Sequence, residues 1–441
     1  MKNISIWKDL KIKREYPKIN SNKECDVLII GGGITGISSY YHLKSSNLKV
    51  IIVEQNKVGY GITSNSTGKL TIMQNDLIDT IKNISEEKVS LYLKSQIEAI
   101  EMIKNVVKND RIRCDLEQVD ASIYTNIDNE INKLKDLELF LRKNGFNVSS
   151  DNNSIVKSKY MIKSNIGYLI HPLKFIYGLL NKEDNIYENS RVFKIEEDND
   201  KYLVKVNNYY IKCKYIILAS FYPYFIVPYL FPIKVSLEKS YLSASKSNYN
   251  KLSLISYSNP FISIRTYKDN LIYLSNSHEL NKNINDKKNF KELIKKVSDL
   301  KINANYLWSN IDIITGDGLP LIGRLNNNML IGTGYNTWGI GSGFLAGKIL
   351  SDIILKKDNK YIDLFNPKRK IKGILNNTLK NIEGYINSYV TISNKCKLCP
   401  HAYGHLIYNE VEETYDCPCH GSRFNKGGKL INGPANKDID I

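Results

Sequence analysis

Near the end of the chain two short boxes combine sulfur with imidazole: Cys399-Pro400-His401 and Cys417-Pro418-Cys419-His420. Cys399 and Cys417 are eighteen residues apart, and the stretch between the boxes, LIYNEVEETYD, has the composition of a hairpin. Two thiolates and two imidazoles offered by two loops suit a [2Fe–2S] cluster, with Cys399 and Cys417 on one iron and His401 and His420 on the other. A structural zinc ion is the rival. Cys396-x-x-Cys399 and Cys417-x-Cys419 supply four sulfurs, and zinc also accepts mixed Cys/His sets. The remaining three of the seven cysteines, Cys25, Cys114 and Cys213, are isolated and read as buried thiols.

A second constellation opens the chain. In CDVLIIGGGITGISSYYHLKSSNLKVIIVEQN, the glycines Gly31, Gly33 and Gly36 have G-x-G-x-x-G spacing. The apolar run Asp26–Ile30 reads as a strand, residues 34–44 have helical spacing, and Lys49–Val53 is a β-branched strand ending on Glu54. The first glycine permits a tight turn, the second lets backbone approach a pyrophosphate, and the third lets helix pack on strand. Glu54, at the tip of the second strand, is placed to accept hydrogen bonds from an adenosine ribose and would repel a 2′-phosphate. Far downstream, residues 328–331 read as a strand, Gly332-Thr333-Gly334 as a turn and residues 343–355 as a helix. No acid-tipped strand follows, so this is a returning unit that closes a split dinucleotide fold and not a second NAD site.

The elements that must position these groups fit in 441 residues, enough for two or three domains of an α/β protein. The formal charge of +17 raises nucleic acid and membrane surfaces as partners, but the lysines are scattered among Asn, Ile and Tyr with no Arg-rich patch. No nucleic-acid partner is expected. The most apolar stretch, FYPYFIVPYLFPI at residues 221–233, is interrupted by prolines and shorter than the ~20 residues that span a bilayer. The chain opens without a secretory pattern, so a cytoplasmic protein with no membrane span is expected.

Taken together, GGGITG, STGKLT, DLEQVDASIYT, HPLKFIYGL, LWSNIDIITGDGLPLIG and GTGYNTWGIGSGFLAGKILSDII resemble, in order, the glycine oxidase, sarcosine oxidase and D-amino-acid oxidase class of FAD-dependent oxidoreductases. CPCHGSRF followed by GGKLINGPA resembles the second box of a Rieske [2Fe–2S] domain, which some bacterial members carry at the carboxy terminus. The resemblance implies an α/β fold with a split, Rossmann-like, glutathione-reductase-like FAD-binding domain (about 24–71, 173–220 and 308–356). An α+β substrate domain is interleaved (about 72–172 and 221–307), a linker follows (about 357–385), and a short β module of Rieske type occupies 386–441. It further implies that Gly31, Gly33, Gly36 and Glu54 hold the adenosine half of FAD, that Thr63 and Thr67 lie near the flavin, and that Val192 contacts the adenine. Gly334, Trp338 and Gly339 would fall in the loop that closes on the flavin ring. ILAS, residues 217–220, departs from the pattern at Ser220.

The substrate side is thinly marked. Arg265 is a candidate partner for a substrate carboxylate, and His278 follows a strand where the resemblance puts a histidine near the flavin; both also read as solvated or structural side chains. His171, opening HPLKF, reads as structural. The implied activity is oxidation of a small amine or amino-acid-like substrate, with electrons passing from FAD to the cluster and on to an unknown acceptor. The alternative is an electron-transfer or redox-sensing protein with no small-molecule substrate. Many Rieske domains join their loops by a disulfide from the fifth residue after the first ligand to the position of Cys419. Here that fifth residue is Gly404, so either Cys396 substitutes or Cys419 stays a thiol.

Overall fold

The computed structural model describes residues 1–9, 14–150, 155–182, 184–222, 234–258, 261–280, 282, 285–371, 374–390 and 397–441. Cys396 and most of the proline-interrupted apolar stretch, 223–233, lie outside the described residues.

Parallel pairing organises the first sheet. The apolar strand Lys23–Ile30 lies between Val50–Val53 and Tyr209–Leu218, parallel to both, and Tyr209–Leu218 also pairs in parallel with Met329–Thr333. Such strands are buried on both faces, which is why they read as continuous Val/Ile/Leu runs. A meander of Val192–Asp198, Lys201–Val206 and Tyr209–Leu218 extends one edge, and Ile186–Tyr187 flanks Val50–Val53. The two glycine-turn units meet here. Helix Ile34–Leu43 follows the first and helix Gly339–Ile354 the second. They pack through small residues, since a Cβ on Gly347 would stand 2.4 Å from Ser38 Cβ. The Ser38 hydroxyl donates to the Phe344 carbonyl at 2.6 Å and the Ser351 hydroxyl to that of Ser39 at 3.1 Å.

The second sheet has eight strands, in the order Tyr306–Thr315, Val235–Lys246, Asn270–Glu279, Ser263–Tyr267, Ser253–Ser256, Ala121–Thr125, Tyr160–Ser164 and Val148–Ser150. Its long edge pair, Val235–Lys246 against Tyr306–Thr315, puts Glu238 opposite Asp312.

The carboxy-terminal module is an antiparallel meander of four three-residue strands: Ile407–Asn409, Thr414–Asp416, Arg423–Asn425 and Leu430–Asn432. The hairpin expected between the two metal boxes is the first pair. Its core holds seven buried side chains, three of them cysteines, too few to stabilise it alone. Helix Ile374–Val390 precedes it, where the Lys/Asn-rich linker segment holds an amphipathic helix candidate at 371–386. Among the described residues no helix is long and apolar enough to cross a membrane.

Candidate functional site

A cavity of ≈ 450 Å³ lies where the two glycine turns converge, within the size range of ligand and cofactor sites. Backbone builds most of it. Gly31 has φ +112°, and a Cβ there would stand 2.7 Å from the Ala219 carbonyl oxygen. A Cβ on Gly36 would stand 1.9 Å from the Gly31 carbonyl oxygen, so only glycine lets the helix seat on the turn. Gly33 caps the helix without a side-chain acceptor, leaving the positive helix terminus to an anion. The Ile34 amide donates to Thr63 Oγ1 at 3.1 Å, which ties the loop after the second strand to that terminus. Gly31, Gly33, Glu54, Thr63, Val192, Gly334 and Gly339 all line this cavity. Gly36 sits behind it as a packing residue.

Glu54 uses its carboxylate to brace the turn: Oε2 accepts from the Gly32 amide and Oε1 from the Asn56 amide, both at 2.8 Å. Burial pushes its pKa up, and those amide bonds oppose the shift. Each oxygen keeps a lone pair for a ribose hydroxyl. Glycine cradle, open helix terminus and acid at the strand tip fit a dinucleotide with an unphosphorylated ribose.

A smaller cavity of ≈ 60 Å³ adjoins the first, with Asp312 and Thr337 in the walls of both. Thr67 and Trp338 line this smaller space and not the larger one. Thr337 has φ +70°, a strained conformation for a β-branched residue, at the junction of the two cavities. Asn336 holds that loop, its Oδ1 accepting from the Thr315 amide at 2.8 Å and its amide donating to the Gly334 and Gly318 carbonyls. Glu238 and Asp312 face each other across the paired strands. Burial, then the Asp312 charge, pushes the Glu238 carboxyl up to about 7. Burial also pushes Asp312 to about 7, opposed by a hydrogen bond from Asn310. The walls also hold three buried polar atoms with no hydrogen-bond partner among the described residues: Ser240 Oγ, Asn310 Oδ1 and Trp338 Nε1. Buried polar atoms left this way call for a ligand or water.

Neither sequence candidate for substrate chemistry lines either cavity. Arg265 is 1 % exposed and points away: one terminal nitrogen donates to the carbonyls of Thr67, Gly68 and Ile170, and Nε to that of Thr266. It pins the Thr67–Gly68 loop beside the smaller cavity and has no geometry for a substrate carboxylate. His278 ends its strand in contact with the Tyr241 hydroxyl at 3.1 Å, and burial lowers its pKa. It belongs to the contact between the sheet and helix Asp286–Ser298, with the Asn289 side-chain amide 3.4 Å from its Nε2. His171 is a helix N-cap, its Nδ1 accepting from the Lys174 amide at 3.3 Å.

The two Cys/His boxes form matched loops. In one, the Cys399 amide donates to the Gly404 carbonyl at 2.9 Å; in the other, the Cys417 amide donates to that of Ser422 at 2.8 Å. The Cys399 thiol meets that of Cys417, and this contact, then burial, raises its pKa. The His401 and His420 rings stand 4.7 Å apart, centroid to centroid. Burial lowers both to about 4, with the neighbouring His401 adding to the shift at His420, so the imidazoles are neutral with lone pairs available. His420 Nδ1 is buried with no hydrogen-bond partner among the described residues. Thiol stands beside thiol and imidazole beside imidazole, the pairing a two-iron cluster needs. Among the described residues no group of three or more such side chains is arranged to hold a single metal ion, and Cys396, one of the four sulfurs of the zinc reading, lies outside them. No disulfide joins described cysteines, and Cys419 Sγ lies 3.8 Å from the Gly384 carbonyl oxygen.

Tyr222 connects the two halves. It lines the larger cavity, and its ring lies 5.5 Å from that of His420 and 6.5 Å from that of His401. A buried charge network clamps the module in place. Lys239, 1 % exposed, binds Asp286 and Asp416, each at 2.8 Å. Arg423 binds Glu412 at 2.8 Å and Asp416 at 3.0 Å. Burial disfavours the Lys239 charge, but Asp416 and Asp286 outweigh it and raise its pKa. Sequence reasoning missed Glu238, Asp312, Tyr222 and Lys239. The signal for the first, second and last was a charge inside an otherwise apolar strand, as in VSLEKSYL and LWSNIDIIT.

A family model described as FAD dependent oxidoreductase matches residues 26–353, and one described as Rieske [2Fe-2S] domain matches 389–441. The Rieske 2Fe-2S iron-sulfur protein YhfW of Bacillus subtilis (strain 168) is 28 % identical, over 99 % of this chain and 96 % of its own. The gamma-glutamylputrescine oxidoreductase of Escherichia coli (strain K12) is 22 % identical, over 79 % of this chain and 88 % of its own. In fold, the crystal structure of glycine oxidase from Geobacillus kaustophilus superposes with a TM-score of 0.65 at 16 % identity, covering 79 % of this chain and 100 % of that one.

Proposed function

The chain belongs to the FAD-dependent oxidoreductase family and carries a Rieske [2Fe–2S] domain, and from that premise we propose that it oxidises a small cationic amine and delivers the electrons to its own cluster. Bound in the larger cavity, FAD supplies two-electron oxidation of a carbon–nitrogen bond, and the cluster supplies one-electron transfer. The observation that carries the reading is the carboxylate pair, Glu238 and Asp312, in the small cavity that opens onto the larger one. Together they place negative charge where a donor would sit, and among the described residues no lysine or arginine lines that space. An amine is favoured over an amino acid because a substrate carboxylate would meet like charge there, while Arg265 is committed to backbone carbonyls.

In this reading Asp312, at the junction, holds the ammonium group and takes up the proton that leaves its nitrogen, since a carboxyl with a pKa of about 7 is poised to exchange it. Glu238 shares that proton across the strand pair. Trp338 and Thr337 exclude water from the junction. Gly31, Gly33, Glu54, Thr63, Val192, Gly334 and Gly339 hold FAD, and Thr67 and Trp338 shape the substrate end. Cys399 and Cys417 hold one iron and His401 and His420 the other. Tyr222, between cavity and imidazoles, supports a short route between the two cofactors. The domain limits proposed from sequence, 1–385 and 386–441, accompany this assignment.

The test is anaerobic addition of a panel of diamines, monoamines and neutral amino acids to the purified protein, followed by absorption and EPR. An amine should bleach the flavin band and raise the signal of a reduced, histidine-ligated cluster. Bleaching by amino acids alone would move the substrate assignment. Bleaching with no cluster signal would remove the electron route.

A further inference from the structure

The module contributes more than a cluster site. The segment from Lys429 to Asn436 forms one wall of the larger cavity, facing the Glu54–Lys57 loop and residues 190–192. Two contacts fix it there: the Asn56 side-chain amide donates to the Ile431 carbonyl at 2.7 Å, and Arg191 pairs with Asp438 at 3.1 Å. Asn432 lies in this wall, 6 % exposed, and its Oδ1 is buried with no hydrogen-bond partner among the described residues. A buried acceptor on a cavity wall is stabilised only by a donor that the cavity receives.

The same segment is packed on the second cluster loop. A Cβ on Gly433 would stand 2.4 Å from Ser422 Cα, and the Ala435 amide donates to Ser422 Oγ at 3.1 Å. Ser422 in turn closes the loop by accepting from the Cys417 amide at 2.8 Å. The cavity wall and the cluster loop are therefore one packed unit, and neither can shift without the other.

We propose that the iron–sulfur module is a structural part of the FAD site: its segment from Lys429 to Asn436 closes the end of the cavity nearest Glu54, and Asn432 Oδ1 accepts a hydrogen bond from the adenosine portion of the cofactor. FAD retention and cluster retention then support each other, and by linkage the coupling is equal in both directions. This rests on the placement of FAD in the larger cavity and is independent of whether electrons pass between the cofactors.

Two measurements on the full-length protein test it. Deflavinated protein is titrated with FAD, for wild type, Asn432→Leu and a control, Tyr408→Ser, on the exposed face of the module. The Asn432→Leu variant should bind FAD about tenfold more weakly while keeping wild-type iron content and EPR, with the control unchanged. Separately, iron loss from the wild-type protein to a chelator is followed with and without saturating FAD, a measurement that needs no variant to fold. FAD should slow it severalfold. An Asn432→Leu dissociation constant within about twofold of wild type, or iron loss indifferent to FAD, overturns the proposal. Failure of the wild-type protein to bind FAD at all would instead overturn the placement of the cofactor.

Discussion

The two adjoining cavities are built from different materials. The larger one is mostly main chain: glycines that admit no Cβ, a helix terminus with no side-chain cap, and a carboxylate spent on two backbone amides. The smaller one is mostly side chain: two carboxyls raised to about 7 and three buried polar atoms with no partner among the described residues. A backbone-built site demands glycine at fixed spacing, because any other residue collides. A site made of side chains demands only that several strands deliver suitable groups to one place. The first kind fixes which cofactor class fits; the second is free to change what is oxidised.

If that contrast holds, the largest effect belongs to a backbone change. Gly36→Val would drive a branched side chain into the Gly31 carbonyl, and the purified protein should carry no FAD by absorption. Next is the clamp that sets the module against both cavities. Lys239→Met strands Asp286 and Asp416 without their shared cation, and urea unfolding should show a loss of about 3–5 kcal/mol. In the side-chain-built cavity, Asp312→Asn should retain FAD but lower kcat/KM for the amine by about 10²-fold, or about 2.7 kcal/mol. Retained FAD with lost turnover is the pattern that separates the two cavities.

The pH dependence sharpens the same contrast. Glu238 and Asp312 have folded-state values of about 7, above their ordinary 4.5 and 3.8. Their contribution to stability is therefore complete below those ordinary values and is lost as pH rises through about 7. Capture of a cation runs the other way, because it needs a carboxylate. KM for the amine should fall as pH rises through about 7 while thermal stability declines, and Asp312→Asn should weaken both dependences, leaving the part that belongs to Glu238. The smallest effect is expected at His278. His278→Gln should leave kcat within about threefold of wild type, since that imidazole touches Tyr241 and not a cavity.

Legibility in the sequence followed the same division. Strand Lys23–Ile30, the glycine turn and helix Ile34–Leu43 were readable because main-chain geometry dictates residue type at each step. The returning unit was readable too, although its helix begins at Gly339, earlier than the apolar spacing suggested, because its first turn is rich in small residues, with Gly341 facing Leu70, Gln96 and Ala99. Both Cys/His boxes announced themselves through rare residue types at short spacing. The substrate side did not. Arg265 had the right chemistry for a carboxylate, but four backbone carbonyls had already claimed it, three of them on distant segments, and such contacts leave no local pattern. Asp312 met Glu238 only through the register of two strands more than sixty residues apart.

The module's dependence on its platform also sets an order of events during synthesis. Its four short strands and seven-residue core lean on strands Val235–Lys246 and Tyr306–Thr315, which precede it in the chain. A nascent chain emerging amino terminus first completes that platform before Cys399 leaves the ribosome. Lys239 and the Glu54 loop are thus in place as a template when the last strands arrive. The Cys/His loops then finish folding against an assembled α/β platform.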